Sequence, residues 1–171
     1  MKPRLIILSD IGGFTNCDWI EEYVQHFTKS FEVQLYDCCE LSGIDIIGQT
    51  VEIIHHQFIS TGIEKAVNRL LELEKGFIHV LAFSIGGTIA WKANLLGLKV
   101  NMLIAISSTR LRFENEKPAS DIQLIYGDND LNKPSNDWFE KLNINAEIVE
   151  NASHDFYKES KLIPSIVTRF I

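Results

Sequence analysis

Cysteine is scarce in this chain, with three among 171 residues. An odd number cannot all pair, and Cys38 and Cys39 are neighbours, a poor geometry for a disulfide. No C-x-x-C pair is present, so the three do not read as a zinc site. They read as buried or half-buried free thiols, the usual setting of unpaired cysteine. Long apolar runs are missing too. A run such as Leu5–Leu8 falls far short of the ~18 residues that span a bilayer, and no membrane partner is expected. Nor is there a cationic cluster. Sixteen Lys and Arg against 23 Asp and Glu leave a net charge of −7, a surface that repels phosphate backbones. Nucleic acid is therefore not expected as a partner. The start, Met1-Lys2-Pro3-Arg4, is basic, but the apolar stretch behind it breaks at Ser9-Asp10, too soon for the core of a signal peptide. The expectation is a cytoplasmic protein.

What is there reads as an ordinary globular chain. Hydrophobic residues make up 46 % and charged residues 23 %, which argues against disorder. The length suits one domain over 1–171 with a core that needs no disulfide or metal. Repeats, low-complexity tracts and linkers are absent.

Short apolar runs alternate with amphipathic stretches. Leu5–Leu8 predicts a strand, followed by a turn at Ser9–Gly13. Asp18, with Glu21 three residues on, predicts the cap of a helix whose face carries Trp19, Ile20, Tyr23, Val24 and Phe27. Glu32–Tyr36 alternates as a second strand. Ile44–Ile59 has room for a helix, though Gly43 and Gly48 weaken it. Thr61-Gly62-Ile63-Glu64 reads as a capping box for a helix ending at Gly76. Phe77–Phe83, Val100–Ile106, Ile122–Tyr126 and Ala146–Val149 complete six strands. Helices are expected from Ser84 to about Leu96, over Asn136–Leu142 and over Leu162–Ile171. Such alternation implies a parallel sheet covered on both faces, with its ligand site at the carboxyl ends of the strands.

Three of those strand ends carry chemistry. Ala82-Phe83-Ser84-Ile85-Gly86-Gly87 sets a serine between strand and helix, with small residues two places before and after it. A sharp strand-to-helix turn brings positions 82 and 86 so close that neither tolerates bulk, and it lifts the serine hydroxyl out of the sheet. Alone, the motif reads rather as a serine capping a glycine-loosened helix. Gly127-Asp128-Asn129-Asp130 brings two acids to the same edge. Asn151-Ala152-Ser153-His154-Asp155-Phe156 brings the only histidine placed at that edge after the acid. His26 falls in a helix, His79 in a strand, and adjacent His55-His56 do not face one point as metal ligands would. The order nucleophile, acid, base is the one expected of this topology.

Carried by these motifs, the sequence resembles the α/β-hydrolase superfamily in a compact form, from Leu5 to Phe170. Gly127–Asp130, with Pro134 after it, is similar to the family's acid loop, in which the fourth residue is the triad acid. Ser9–Gly13 stands where the family has His-Gly-x-Gly, with Ser9-Asp10 in place of His-Gly and Asp10 adding a negative charge. The resemblance implies a three-layer αβα sandwich, a mainly parallel six-stranded sheet of order 2-1-3-4-5-6 lacking the family's first two strands, and no separate lid domain. It implies hydrolysis of a small carboxylic ester or thioester through an acyl-enzyme. Ser84 is the nucleophile, His154 the base and Asp130 the acid, with Asp128 its rival. The oxyanion donors implied are the backbone N–H of Ile85 and that of Ile11 or Gly12. No metal or cofactor is implied, and the partner is a small acyl substrate. A binding protein on the same fold that does no chemistry is the alternative, kept open by Asp10. A nucleotide-binding domain is weaker, since neither Gly12-Gly13 nor Gly86-Gly87 matches a phosphate-loop pattern.

Overall fold

A computed structural model describes residues 2–15 and 17–170. The strands β1 (Arg4–Leu8), β2 (Glu32–Tyr36), β3 (Ile78–Phe83), β4 (Val100–Ile106), β5 (Asp121–Gly127) and β6 (Ala146–Val149) form one sheet, in the order β2-β1-β3-β4-β5-β6. Every pairing is parallel. Leu8 lies opposite Tyr36 and Ala82, Phe83 opposite Ile106, and Gly127 opposite Val149. The strands therefore finish together, and the turns that follow them share one edge.

Successive side chains on a strand point to opposite faces. Ile6, Leu8, Val80, Ala82, Leu103 and Ala105 enter one buried cluster, and Leu5, Ile7, Leu81, Phe83, Ile104 and Ile106 enter the other. The first is covered by α2 (Cys38–Ser42), α3 (Val51–Gln57), α4 (Ile63–Leu73), α5 (Ile85–Leu95) and α6 (Asn136–Leu142). The second is covered by α1 (Asp18–Phe27) and α7 (Ile163–Val167). The result is the expected three-layer sandwich, with a sheet parallel throughout. No helix among the described residues is long and apolar enough to cross a membrane.

Helix ends depart from expectation where tertiary contacts outweigh local signals. Asp18 does not cap α1; it is the first helical residue, and Cys17 stands at the cap. Thr61 does not start a helix. Thr50 caps α3 through Ile53 N–H, and the chain runs through a π turn, Phe58–Gly62, directly into α4. The helix expected over Ile44–Ile59 thus begins only at Val51, after Gly43 and Gly48 with positive φ. Gly76 does not end α4 either. Glu74 turns extended at Leu73 because its carboxylate is drawn to β1 and β2, taking Arg4 in a fork at 2.8 and 2.7 Å and the Tyr36 hydroxyl at 2.6 Å. The C-terminal helix is shortened to Ile163–Val167, and beyond it Phe170 packs against Phe27 and Phe31. Ile171, the expected last residue of that helix, lies outside the described residues.

Candidate active site

The strand β3 delivers Ser84 at the carboxyl edge with φ 49° and ψ −117°. L-residues avoid positive φ, so this is the strained turn that the small flanking residues imply. A Cβ on Gly86 would sit 2.6 Å from the Ser9 carbonyl oxygen and 2.9 Å from the Leu8 Cβ, which is why position 86 is glycine. Ser84 occupies the cap position of α5, but its hydroxyl makes no capping bond. Instead Ser84 Oγ lies 3.0 Å from His154 Nε2, and His154 Nδ1 lies 2.9 Å from Asp130 Oδ2. The structure thus brings Ser84, His154 and Asp130 into one chain of hydrogen bonds.

Asp130 is 4 % exposed. Burial alone would raise its pKa, but the bonds from His154 and from Asn132 N–H hold it below the ordinary carboxylate value. Asp128 makes no bond to His154. Its Oδ1 accepts from Ala152 N–H at 3.1 Å, and backbone bonds from Asn151 and Ala152 lower its pKa. It fastens the loop that carries the histidine.

The turn after β1 can be accounted for group by group, as buried backbone polar groups require. Ser9 N–H donates to Tyr36 O, Gly12 N–H to Asp10 Oδ1 at 2.9 Å, and Gly13 N–H to Asp10 O. The Cys39 thiol donates to Ile11 O at 3.3 Å, and Phe14 N–H to Asp37 Oδ2 at 2.7 Å. Among the described residues neither Asp10 N–H nor Ile11 N–H has an acceptor. Ile85 N–H, first in α5, has none within its helix. Ile11 and Ile85 both line the cleft that holds Ser84 and His154.

That cleft has a volume of about 770 Å³. Its other walls come from Gly12 and Gly13, from Trp19 on α1, from Val51, Glu52 and His55 on α3, and from Thr109, Asn132 and Lys158. Most of these were not singled out in the sequence. The α3 residues lie in the segment whose helix was hardest to place. Burial, with Arg110 and Arg112 nearby, lowers the His55 pKa. Cys17 also faces the cleft, but burial and Asp10 push its thiol up to about 11, leaving it protonated at neutral pH. Trp91 and Phe156 are buried away from the cleft, and packing is their role.

Asp10 is buried and does not stand alone. Its Oδ2 accepts from the Tyr157 hydroxyl at 3.0 Å and from Lys158 Nζ at 2.8 Å. Asp155 joins the same group, 3.2 Å from Lys158. An acid in this turn with no local cation was the one available signal that a distant partner had to exist.

No protein-family model matches the sequence, and none of the curated proteins compared with it matches. Solved structures do. A protein from Xanthomonas campestris, described as a candidate hydrolase of the α/β superfamily, superposes with a TM-score of 0.69 at 15 % identity, covering 99 % of this chain and 98 % of that one. A dienelactone hydrolase-like promiscuous phosphotriesterase from metagenomic libraries gives 0.71 at 12 %, covering 99 % and 85 %. Est1E from Butyrivibrio proteoclasticus, solved with ferulic acid bound, gives 0.65 at 13 %, covering 99 % and 88 %.

Proposed function

The chain has the α/β-hydrolase fold, and on that premise we propose that it is a serine hydrolase cleaving small carboxylic esters or thioesters. The single observation that carries this reading is the hydrogen-bonded series from Ser84 Oγ through His154 to Asp130, at 3.0 and 2.9 Å, with Ser84 and His154 lining a cleft. With Nδ1 donating to Asp130, His154 Nε2 is left to accept the Ser84 proton. Ser84 Oγ attacks the acyl carbon as that proton passes to Nε2. The carbonyl oxygen becomes an oxyanion between the N–H groups of Ile85 and Ile11. Ile11 is preferred to Gly12 for that task, since Asp10 already takes the Gly12 N–H. Collapse breaks the bond to the leaving group, which takes the proton from His154. Water then repeats the sequence, releasing the acid and restoring Ser84. Asp130 holds the imidazole and stabilises its charged form.

The binding-protein alternative was kept open by the charge of Asp10, and the contact of Asp10 with Lys158 favours the enzyme reading. The test is labelling with a fluorophosphonate probe together with turnover of p-nitrophenyl acetate. Wild type is expected to label and turn over, and Ser84→Ala to lose both, with kcat falling by about 10⁴ or more. A folded Ser84→Ala variant with wild-type turnover would overturn the assignment.

A further inference from the structure

We infer that Lys158 is a positioning residue for this reaction, and that its ammonium is what permits an aspartate inside the oxyanion turn. The inference rests on the proposed serine hydrolase and adds a group that no motif marks.

Asp10 is 5 % exposed, and its carboxylate fixes the turn by accepting Gly12 N–H. That bond leaves Ile11 N–H, from the next peptide back, as a free donor beside the cleft. The same carboxylate carries a charge of the sign that the transition state develops in the same cleft. In a buried site such charges interact far more strongly than in water. The turn therefore gains its shape from Asp10 and acquires an electrostatic cost with it.

Lys158 offsets that cost. Its Nζ lies 2.8 Å from Asp10 Oδ2 and 3.2 Å from Asp155 Oδ1. The Tyr157 hydroxyl, with one proton to donate, lies 3.0 Å from Asp10 Oδ2 and 3.3 Å from Asp155 Oδ1. The Lys158 ammonium also lies 5.5 Å from the Tyr157 ring centre and 6.0 Å from that of Trp19, faces that favour a cation. Burial works against the lysine's charge, but Asp10 and Asp155 raise its pKa overall. The placement has a structural source. The residues 153–158 form one compact stretch after β6, so the segment that presents His154 to Ser84 also delivers Lys158 to Asp10. Base and counter-charge are set by one piece of backbone.

The experiment compares wild type with Lys158→Met, Asp10→Asn/Lys158→Met and Lys158→Arg. Turnover of p-nitrophenyl acetate and the rate of inactivation by a fluorophosphonate are measured on each. Lys158→Met is expected to lower kcat by about 10- to 100-fold, less than the 10²–10³ lost with an oxyanion donor itself, while KM moves little. The double variant, which has neither charge, is expected to regain at least about tenfold in kcat, and Lys158→Arg to stay within about tenfold of wild type. Removing both members of a buried pair restores stability as well, so kcat is compared among variants whose thermal melting matches wild type, where a purely structural lysine would leave kcat unchanged. Lys158→Met with wild-type kcat, or a folded double variant no better than Lys158→Met, overturns the inference. If Lys158→Met does not fold, the double variant decides: turnover within about tenfold of wild type supports charge compensation, and turnover as low as that of Ser84→Ala overturns it. Active wild type with either overturning result refutes the role of Lys158 alone, whereas wild type that neither labels nor turns over refutes the serine hydrolase itself.

Discussion

Asp128 and Asp130 stand two positions apart, and their side chains reach different places. Asp130 Oδ2 meets His154 Nδ1, while Asp128 Oδ1 meets the Ala152 amide. On the proposed mechanism only the first orients the imidazole. Asp130→Asn is expected to lower kcat by about 10⁴, because an amide there favours the wrong tautomer. Asp128→Asn keeps an oxygen for Ala152 N–H and is expected to change kcat by less than about tenfold. Both are measured on p-nitrophenyl acetate, and the reverse ranking would transfer the acid's role to Asp128. The candidate residues were legible in sequence because each stands at a fixed offset from a strand end: Ser84 directly after β3, Asp130 three residues after Gly127, His154 in the turn after β6. Lys158 was not legible. It pairs with a residue 148 positions earlier, and only the folded sheet brings the first turn beside the last.

At the scale of elements, strands were easier to read than helix ends. A central strand is buried on both faces, so its apolar run depends on little else, as in Val100–Ile106. A helix end depends on what its groups meet, and Glu74 left α4 for Arg4 and Tyr36 in a way no capping pattern reports. The joint between the acid loop and the histidine loop is similarly tertiary. Asn129 N–H donates to Ala152 O at 3.1 Å, and Ala152 N–H to Asp128 Oδ1 at 3.1 Å. Gly127 lies under this joint, where an added Cβ would meet the Ala152 carbonyl group and come within 2.8 Å of Ser153 O. All of these atoms are backbone, so the loop itself must move. Gly127→Ala is expected to cost about 1–3 kcal/mol of stability, in the range of overpacking. Because the displaced loop carries His154, kcat should fall by about 10²-fold, the scale of a 1 Å misplacement. Thermal melting and turnover check the two effects together. A folded variant with wild-type kcat would show that the loop tolerates the shift.

Across the whole molecule, the edge above Ser84 is left open by what the segment between β4 and β5 does. At about 15 residues the segment is too short to build a helical cap with a core of its own. Of that segment only Thr109 lines the cleft, and the wall opposite comes from α3. The remainder is held down elsewhere. Leu111 is fully buried, the Trp91 indole N–H donates to Glu116 O at 3.0 Å, and the Trp138 indole N–H donates to Glu114 O at 2.9 Å. Lys92 adds an ion pair to Glu114 at 2.9 Å. To fold over Ser84 the segment would have to break both indole bonds and expose Leu111. Each buried hydrogen bond broken costs about 0.5–1.5 kcal/mol, and exposing a leucine about 1.5–3 more. A segment anchored in this way is expected not to act as a lid that a lipid surface opens. On the proposed reaction, the expected behaviour is hydrolysis of p-nitrophenyl acetate and butyrate in preference to palmitate, with no step in rate as detergent passes its micelle threshold. Assays across the three esters, with and without micelles, measure this. A preference for palmitate with a sharp rise at that threshold would mean that some other element, α3 being the nearest, closes over the cleft.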